Sequence, residues 1–206
     1  MAITTYAELK TAITDFLNRD DLDSAAGTFI SLAEADLQRR IRHFSMETTA
    51  TLSASGQYTA FPADFLEPIR ISTASGNYTP IELLSQGEMQ QKRRVNLDTS
   101  GTPRYYAVTQ GQLELYPTPD GAYDVDLYYY ADIPGLSDSV TSNWLLSKYP
   151  DAYLYGSLVH SAPYLSDDSR ITVWAALYQS AVDSINAESE RVKFGGSGRR
   201  MKVRSY

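Results

Sequence analysis

The chain has 206 residues, a formal net charge of −7 and no cysteine. Its length suits one globular domain or two small ones, and the missing cysteines exclude a disulfide scaffold and thiolate chemistry while suiting a reducing cytoplasm. The charge is uneven: six of the 18 Lys and Arg fall in the closing stretch RVKFGGSGRRMKVRSY, leaving 12 against 25 acidic residues, so the body carries −13 and the end +6.

An acidic body repels nucleic acid phosphates and anionic membrane surfaces, so any nucleic-acid role would rest on the basic end. No apolar run approaches the ~18 residues of a membrane span. The opening MAITTYAELK lacks the basic start and apolar run of a secretory signal. The chain reads as soluble, with no membrane partner.

Tyr6, Leu9, Ile13, Phe16 and Leu17 recur at helical spacing, with Thr4 or Thr5 as cap. NRDDLDS interrupts this helix, and Asp23 or Ser24 can cap a second one with the stripe Ile30, Ala33, Leu37, Ile41 and Phe44. Arg39, Arg40 and Arg42 gather in its last turn, where cations suit the helix dipole. Residues 1–45 are therefore expected to form a helical hairpin.

From Met46 short β-rich runs alternate with turn residues. METTATL and QYTAF flank Ser55-Gly56, and IRIST and YTPIELL flank Ser75-Gly76-Asn77, so both pairs read as hairpins. GEMQQKRR suits a short helix. PRYYAVTQ and QLELYP meet near Gly111, and AYDVDLYYYAD follows with Val125, Leu127 and Tyr129 on one face and Asp124, Asp126, Tyr128 and Tyr130 on the other. Residues 46–140 are expected to be an antiparallel, sandwich-like β domain.

Helices return over 141–194. Asn143 can cap a short turn, and Pro150 suits the first position of a longer helix. A final helix with cap candidates from Ser166 to Asp168 presents Ile171, Trp174, Tyr178, Ala181, Val182 and Ile185 on one face, and glycines end it after about Lys193. The fold class is α+β: a helical bundle made from the two terminal helix pairs, a central β domain, and an extended basic arm at 195–206.

Catalytic chemistry finds little support. His43 and His160, the two histidines, lack a second ligand at metal spacing, and a Ser-His-Asp site using His160 has no nucleophile-elbow sequence. DDLDS fails as an EF-hand: from Asp21, position three is Asp23, but five, six and twelve are Ala25, Ala26 and Leu32. GGSGRR is no phosphate loop, lacking the following Gly-Lys-Ser/Thr. The 16 tyrosines suit a core and subunit contacts better than stacking on sugars or bases. The expectation is a protein that is not an enzyme and carries no cofactor and no metal.

The segments LNRDDLD, FISLAEADLQRRIR, FPADFLEPIRI, LYYYADIPGLSD and NWLLSKYPDAYLYGSLVHSAPYLSDDSR, with the Trp174 to Tyr178 spacing, carry a resemblance. The chain resembles the head-to-tail adaptor (connector) proteins of tailed bacteriophages, of short-tailed type, from about Tyr6 to Ile185. Ile133 to Arg170 is the most specific part. The resemblance implies a virion structural protein at the head–tail interface, made in the host cytoplasm. It also implies a dodecameric ring of copies beneath the portal protein that extends the DNA channel, with DNA passing through only as cargo. Tail nozzle and, in some cases, tail fibre proteins attach to it.

In the family a C-terminal arm docks on the portal, which here implicates Arg199, Arg200, Met201, Lys202, Val203, Arg204 and Tyr206, with Gly195, Gly196 and Gly198 as hinge. The arm spans roughly 40 Å if extended. Met201 and Val203 alternate with Lys202, Arg204 and Tyr206, the pattern of a strand added to a sheet edge. Two other classes compete: a nucleic-acid-binding protein using this arm with Arg39, Arg40 and Arg42, and a small hydrolase or sugar-binding domain on the Tyr-rich sheet using His160.

Overall fold

The computed structural model describes residues 3–74, 79–96, 99–165 and 169–195. The chain divides into two compact units, one formed by Met1–Ser45 with Ile133–Tyr206 and the other by Met46–Asp132. Mixed helix and sheet bear out the α+β class.

The first unit is helical. Helix α1, Tyr6–Leu17, starts at a capping box: the Thr5 side chain accepts the Glu8 N–H while the Glu8 carboxylate accepts the Thr5 N–H. Asn18, in the left-handed region at φ 53°, closes it. A 3₁₀ turn, Asp20–Leu22, then runs directly into α2, Asp23–Arg40. Because the chain arrives already wound, Leu22 takes the N-cap position and neither Asp23 nor Ser24 caps; Asp23 sits in the first turn, where its charge suits the dipole.

Leu9, Ile13 and Leu17 of α1 are buried, but Phe16 is 46% exposed. The stripe of α2 is buried at Ile30, Ala33 and Leu37. Phe44 does not join it, because α2 stops at Arg40 and Ile41 is extended. The next amides are taken by side chains of the last helix: Asn186 Oδ1 accepts the Arg42 N–H at 3.1 Å and Ser189 Oγ accepts the Phe44 N–H at 3.0 Å.

Helix α4 is Trp144–Lys148 and α5 is Pro150–His160, with Pro150 at its first position. The last helix, α6, is Arg170–Phe194 and buries Trp174, Tyr178, Ala181, Val182 and Ile185; the cap candidates Ser166 to Asp168 lie outside the described residues. Gly156 of α5 marks a close approach: a Cβ there would meet the Tyr178 ring at 3.0 Å and Ala33 at 3.3 Å. α5 thus packs against α1, α2 and α6.

The second unit holds two sheets. β1 (Glu47–Ala54), β7 (Tyr123–Ala131) and β3 (Phe65–Thr73) form an antiparallel sheet in the order β1-β7-β3. β2 (Tyr58–Ala60), β6 (Gln112–Tyr116), β5 (Tyr105–Thr109) and β4 (Glu82–Leu83) form the other, in the order β2-β6-β5-β4. The β4–β5 pair is parallel, a departure from the all-antiparallel expectation. Both sheets feed one apolar cluster that includes Ala54, Ile71, Leu113, Leu115, Val125 and Leu127.

The expected hairpin across Ser55-Gly56 does not form. β1 pairs with β7 over eight residues, and β2 pairs with β6. The long pairing wins because it sets Leu52 and Ala50 opposite Val125 and Leu127 on the buried face, which three residues of β2 cannot match. The second pair is antiparallel only near its turn, at the Ser72–Pro80 bridge, before β4 leaves for the other sheet; Ser75, Gly76 and Asn77 lie outside the described residues. The β5–β6 hairpin does form. Gln110 and Gly111 both take positive φ, 51° and 73°, as a two-residue turn of this kind requires. The GEMQQKRR segment is helical, within α3, Gln86–Val95.

Candidate interaction surfaces

The helical unit is held by polar ties that run between distant parts of the chain. Residues 133–143, between β7 and α4, lie as a strap on α2: Gln38 Oε1 accepts the Ile133 N–H at 2.9 Å and Glu34 Oε1 accepts the Leu136 N–H at 2.7 Å. Asn143 completes the strap. Its Oδ1 accepts the Leu146 N–H at 2.8 Å, capping α4, while its Nδ2 donates to the Pro134 carbonyl and the Tyr153 hydroxyl, both at 2.7 Å.

The Tyr153 hydroxyl in turn donates to Glu34 at 3.3 Å. Burial raises the Glu34 pKa above its ordinary value, against the lowering effect of these hydrogen bonds. Burial also pushes the Tyr153 phenol well up, so it remains a neutral donor. The Ile133 to Arg170 stretch that carries the most specific resemblance is therefore largely this strap, the helix α4 that it caps, and α5.

A second tie joins α2 to α6. The Tyr178 hydroxyl donates to Asp36 Oδ2 at 2.7 Å, Arg39 and Arg40 approach the same carboxylate at 3.2 Å, and Arg40 also donates to Gln179 at 3.0 Å. The Arg42 guanidinium donates to the carbonyls of Gln38 and Ile41. All three arginines are thus engaged within the helical unit, although Arg39 stays two-thirds exposed.

The two histidines part company. His43 is fully buried, stacked 5.0 Å from Trp144, with its Nδ1 accepting the Ser45 N–H at 3.1 Å. Nearby, burial and the Glu188 carboxylate push the Tyr149 phenol up to about 12. His160 lies in the last turn of α5, half-buried, with no serine or carboxylate bonded to its ring among the described residues. No group of three metal-ligating side chains occurs among the described residues. Nor is any described helix long and apolar enough to cross a membrane.

Toward its C-terminal end α6 exposes Val192 and Phe194 beside an open hollow of about 480 Å³ lined by Ala187, Glu190, Arg191, Phe194 and Gly195. Gly195 continues the right-handed backbone at φ −76°, ψ −12°. Gly196, Gly198, Arg199, Arg200, Met201, Lys202, Val203, Arg204 and Tyr206 lie outside the described residues.

In the β unit, α3 is anchored to β6 by a buried ion pair that the sequence did not flag. Glu114 is fully buried and meets Arg93 Nε at 3.1 Å. Arg93 also donates to the Leu115 carbonyl at 2.8 Å. Burial pushes the Glu114 pKa up, but hydrogen bonds from Thr109, Gln57, Gln86 and Arg93 outweigh it and hold the carboxyl below its ordinary value. The signal lay in QLELY: a charged residue inside a five-residue strand whose neighbours are all buried needs a cation, and KRR of α3 supplies one. The outer face of β7 carries Asp124, Asp126, Tyr128 and Tyr130, as its alternation implied. Thr51 Oγ1 donates to Asp126 at 2.8 Å and Tyr128 donates to Glu47.

A sequence model for the family described as SU10 adaptor protein matches residues 4–201. No curated protein matches the chain.

Proposed function

The chain belongs to the SU10 adaptor protein family, a family of phage head-to-tail adaptors, and from that premise we propose that copies of it form a ring beneath the portal, extend the DNA channel and attach the tail. The observation that carries this reading is the span of the match: it covers both units and enters the arm as far as Met201. The role is structural, in the virion, and needs no reaction.

Two features support the finer reading. A body charge near −13 suits a channel wall along which DNA must slide without being held. The arm at 195–206 is basic and alternating, suited to docking on the portal by strand addition, and its repetition around a ring would multiply a weak contact. The twelvefold copy number, the portal as the arm's target and the attachment of nozzle or fibres all belong to this proposal. The nucleic-acid-binding alternative is weaker, because Arg39, Arg40 and Arg42 are already engaged within the helical unit.

Purified portal rings from the same phage, mixed with the full chain and with a version ending at Phe194, test the proposal by electron microscopy. Rings of the full chain on the portal, absent with the truncation, are the expected outcome. Binding by both removes the arm from the docking role, and binding by neither removes the portal as partner.

A further inference from the structure

Among the described residues the β unit has four outer strands, and three of them are blunted. β3 carries Pro68 and two register shifts, between Phe65 and Glu67 and between Pro68 and Arg70. β2 has three residues and β4 has two. Proline, bulges and shortness keep an edge from pairing with another chain. β1 has none of these: its eight residues hold an unbroken register on β7, without proline or lysine.

Which groups of β1 face the open side follows from the other flank of β7. The Ala74 N–H donates to the Asp124 carbonyl at 2.8 Å, so Asp124 bonds toward the β3 side, and Asp126 and Tyr128 follow it in phase opposite Ser72 and Arg70. Alternate residues of a central antiparallel strand bond alternate neighbours. Val125, Leu127 and Tyr129 therefore bond β1, through Leu52, Ala50 and Thr48. The backbone N–H and C=O groups of Thr49, Thr51 and Ser53 point away from the sheet, and among the described residues no strand pairs with them. All three residues are exposed.

The side chains beside this edge set the chemistry of what it would take. On the outer face Glu47 stands on β1 and Asp124 and Asp126 on β7 beside it, with Glu67 and Arg70 one strand further away on β3. On the inner face Ala50 and Leu52 pack against the core. A strand laid along β1 alternates between these two faces.

We propose that the open edge of β1 accepts, by strand addition, an extended segment of a partner protein carrying Lys or Arg at every second position and apolar residues between them. A second copy of β1 does not fit. Self-pairing supplies no cation to Glu47, Asp124 and Asp126 and brings the same acidic charge from the second copy. The inference goes beyond the ring-and-arm reading and does not depend on it.

The test uses the full-length protein and three labelled peptides followed by fluorescence anisotropy: one alternating Lys with Val over eight residues, its counterpart with Glu for Lys, and one copying residues 199–206. The Lys peptide is expected to saturate and to bind at least tenfold more tightly than the Glu peptide. Thr51→Pro, which removes an outward N–H but no backbone bond to β7, is expected to weaken it at least tenfold, while Thr51→Ala, which loses the same side-chain bond to Asp126, keeps it. Amide exchange in the wild-type protein supplies a readout independent of how the proline variant folds: the bound peptide should slow Thr49, Thr51 and Ser53. Equal binding of the Lys and Glu peptides, or unchanged exchange at those amides, overturns the proposal. Tighter binding of the 199–206 peptide than of the Lys peptide overturns the partner assignment, giving the edge to the arm of a second copy.

Discussion

In the helical unit the buried polar atoms are mostly neutral and join segments far apart in sequence, as Asn143 and Tyr153 do between the strap, α4, α5 and α2. In the β unit the buried polar atoms include a full ion pair, Glu114 with Arg93, within one contiguous stretch of chain. The difference has a physical basis. A neutral group that loses its partner leaves one unmet hydrogen bond, whereas a charge that loses its counter-ion leaves a desolvated ion. The helical unit is therefore assembled from several ties, each of which costs less to lose than the one buried ion pair of the β unit.

Breaking the ion pair gives the largest expected effect. Arg93→Met should destabilise the β unit by about 3–5 kcal/mol, because Glu114 then remains buried without its cation; urea denaturation with a probe in that unit measures it. Adding Glu114→Gln should recover much of the loss. The pH dependence has a defined sign: a carboxyl held below its ordinary value of 4.5 contributes stability present above that value and lost as pH falls through the folded one. In the Arg93→Met variant that acid-side loss should shrink.

Removing the strap's hub comes next. Asn143→Ala deletes the α4 cap and leaves the Pro134 carbonyl without that donor, with an expected cost of about 2–3 kcal/mol read from the same denaturation curve. A cost equal to that of Arg93→Met would erase the contrast between the units.

The smallest effect, with the opposite trend, belongs to Glu34. Its pKa is raised, so its contribution is complete below the ordinary 4.5 and is lost as pH rises through the folded value. Glu34→Gln keeps an oxygen to accept from Leu136 and Tyr153. Melting temperatures between pH 4 and 8 should therefore shift in the variant's favour as pH rises.

Several helix starts were legible in the sequence because they have a local signature: a threonine before α1, Asn143 at an N-cap, Pro150 at a first turn. The face of β7 was legible from its alternation. Strand partners were not. The pairing of β1 with β7 spans some seventy residues, and nothing local in METTATL distinguishes it from a hairpin with QYTAF. The end of α2 was missed for the same kind of reason, since Asn186 and Ser189 capture its amides from the far end of the chain. Of the arm and hinge residues singled out beforehand, only Gly195 lies among the described residues, and what the structure adds instead is the open edge of β1.

The discontinuity of the helical unit has a consequence for how the protein is made. About 110 residues separate the end of α2 from the start of α5, the helix that covers Ala33. At a translation rate of ~5–20 residues per second, α1 and α2 leave the ribosome roughly 5–20 seconds before that cover exists. During that interval Leu9, Ile13, Phe29, Ile30 and Leu37, all buried in the finished fold, have only each other. The β unit emerges in one piece and needs no later segment to complete it. The nascent chain thus carries an uncovered apolar helical hairpin through about half of its synthesis.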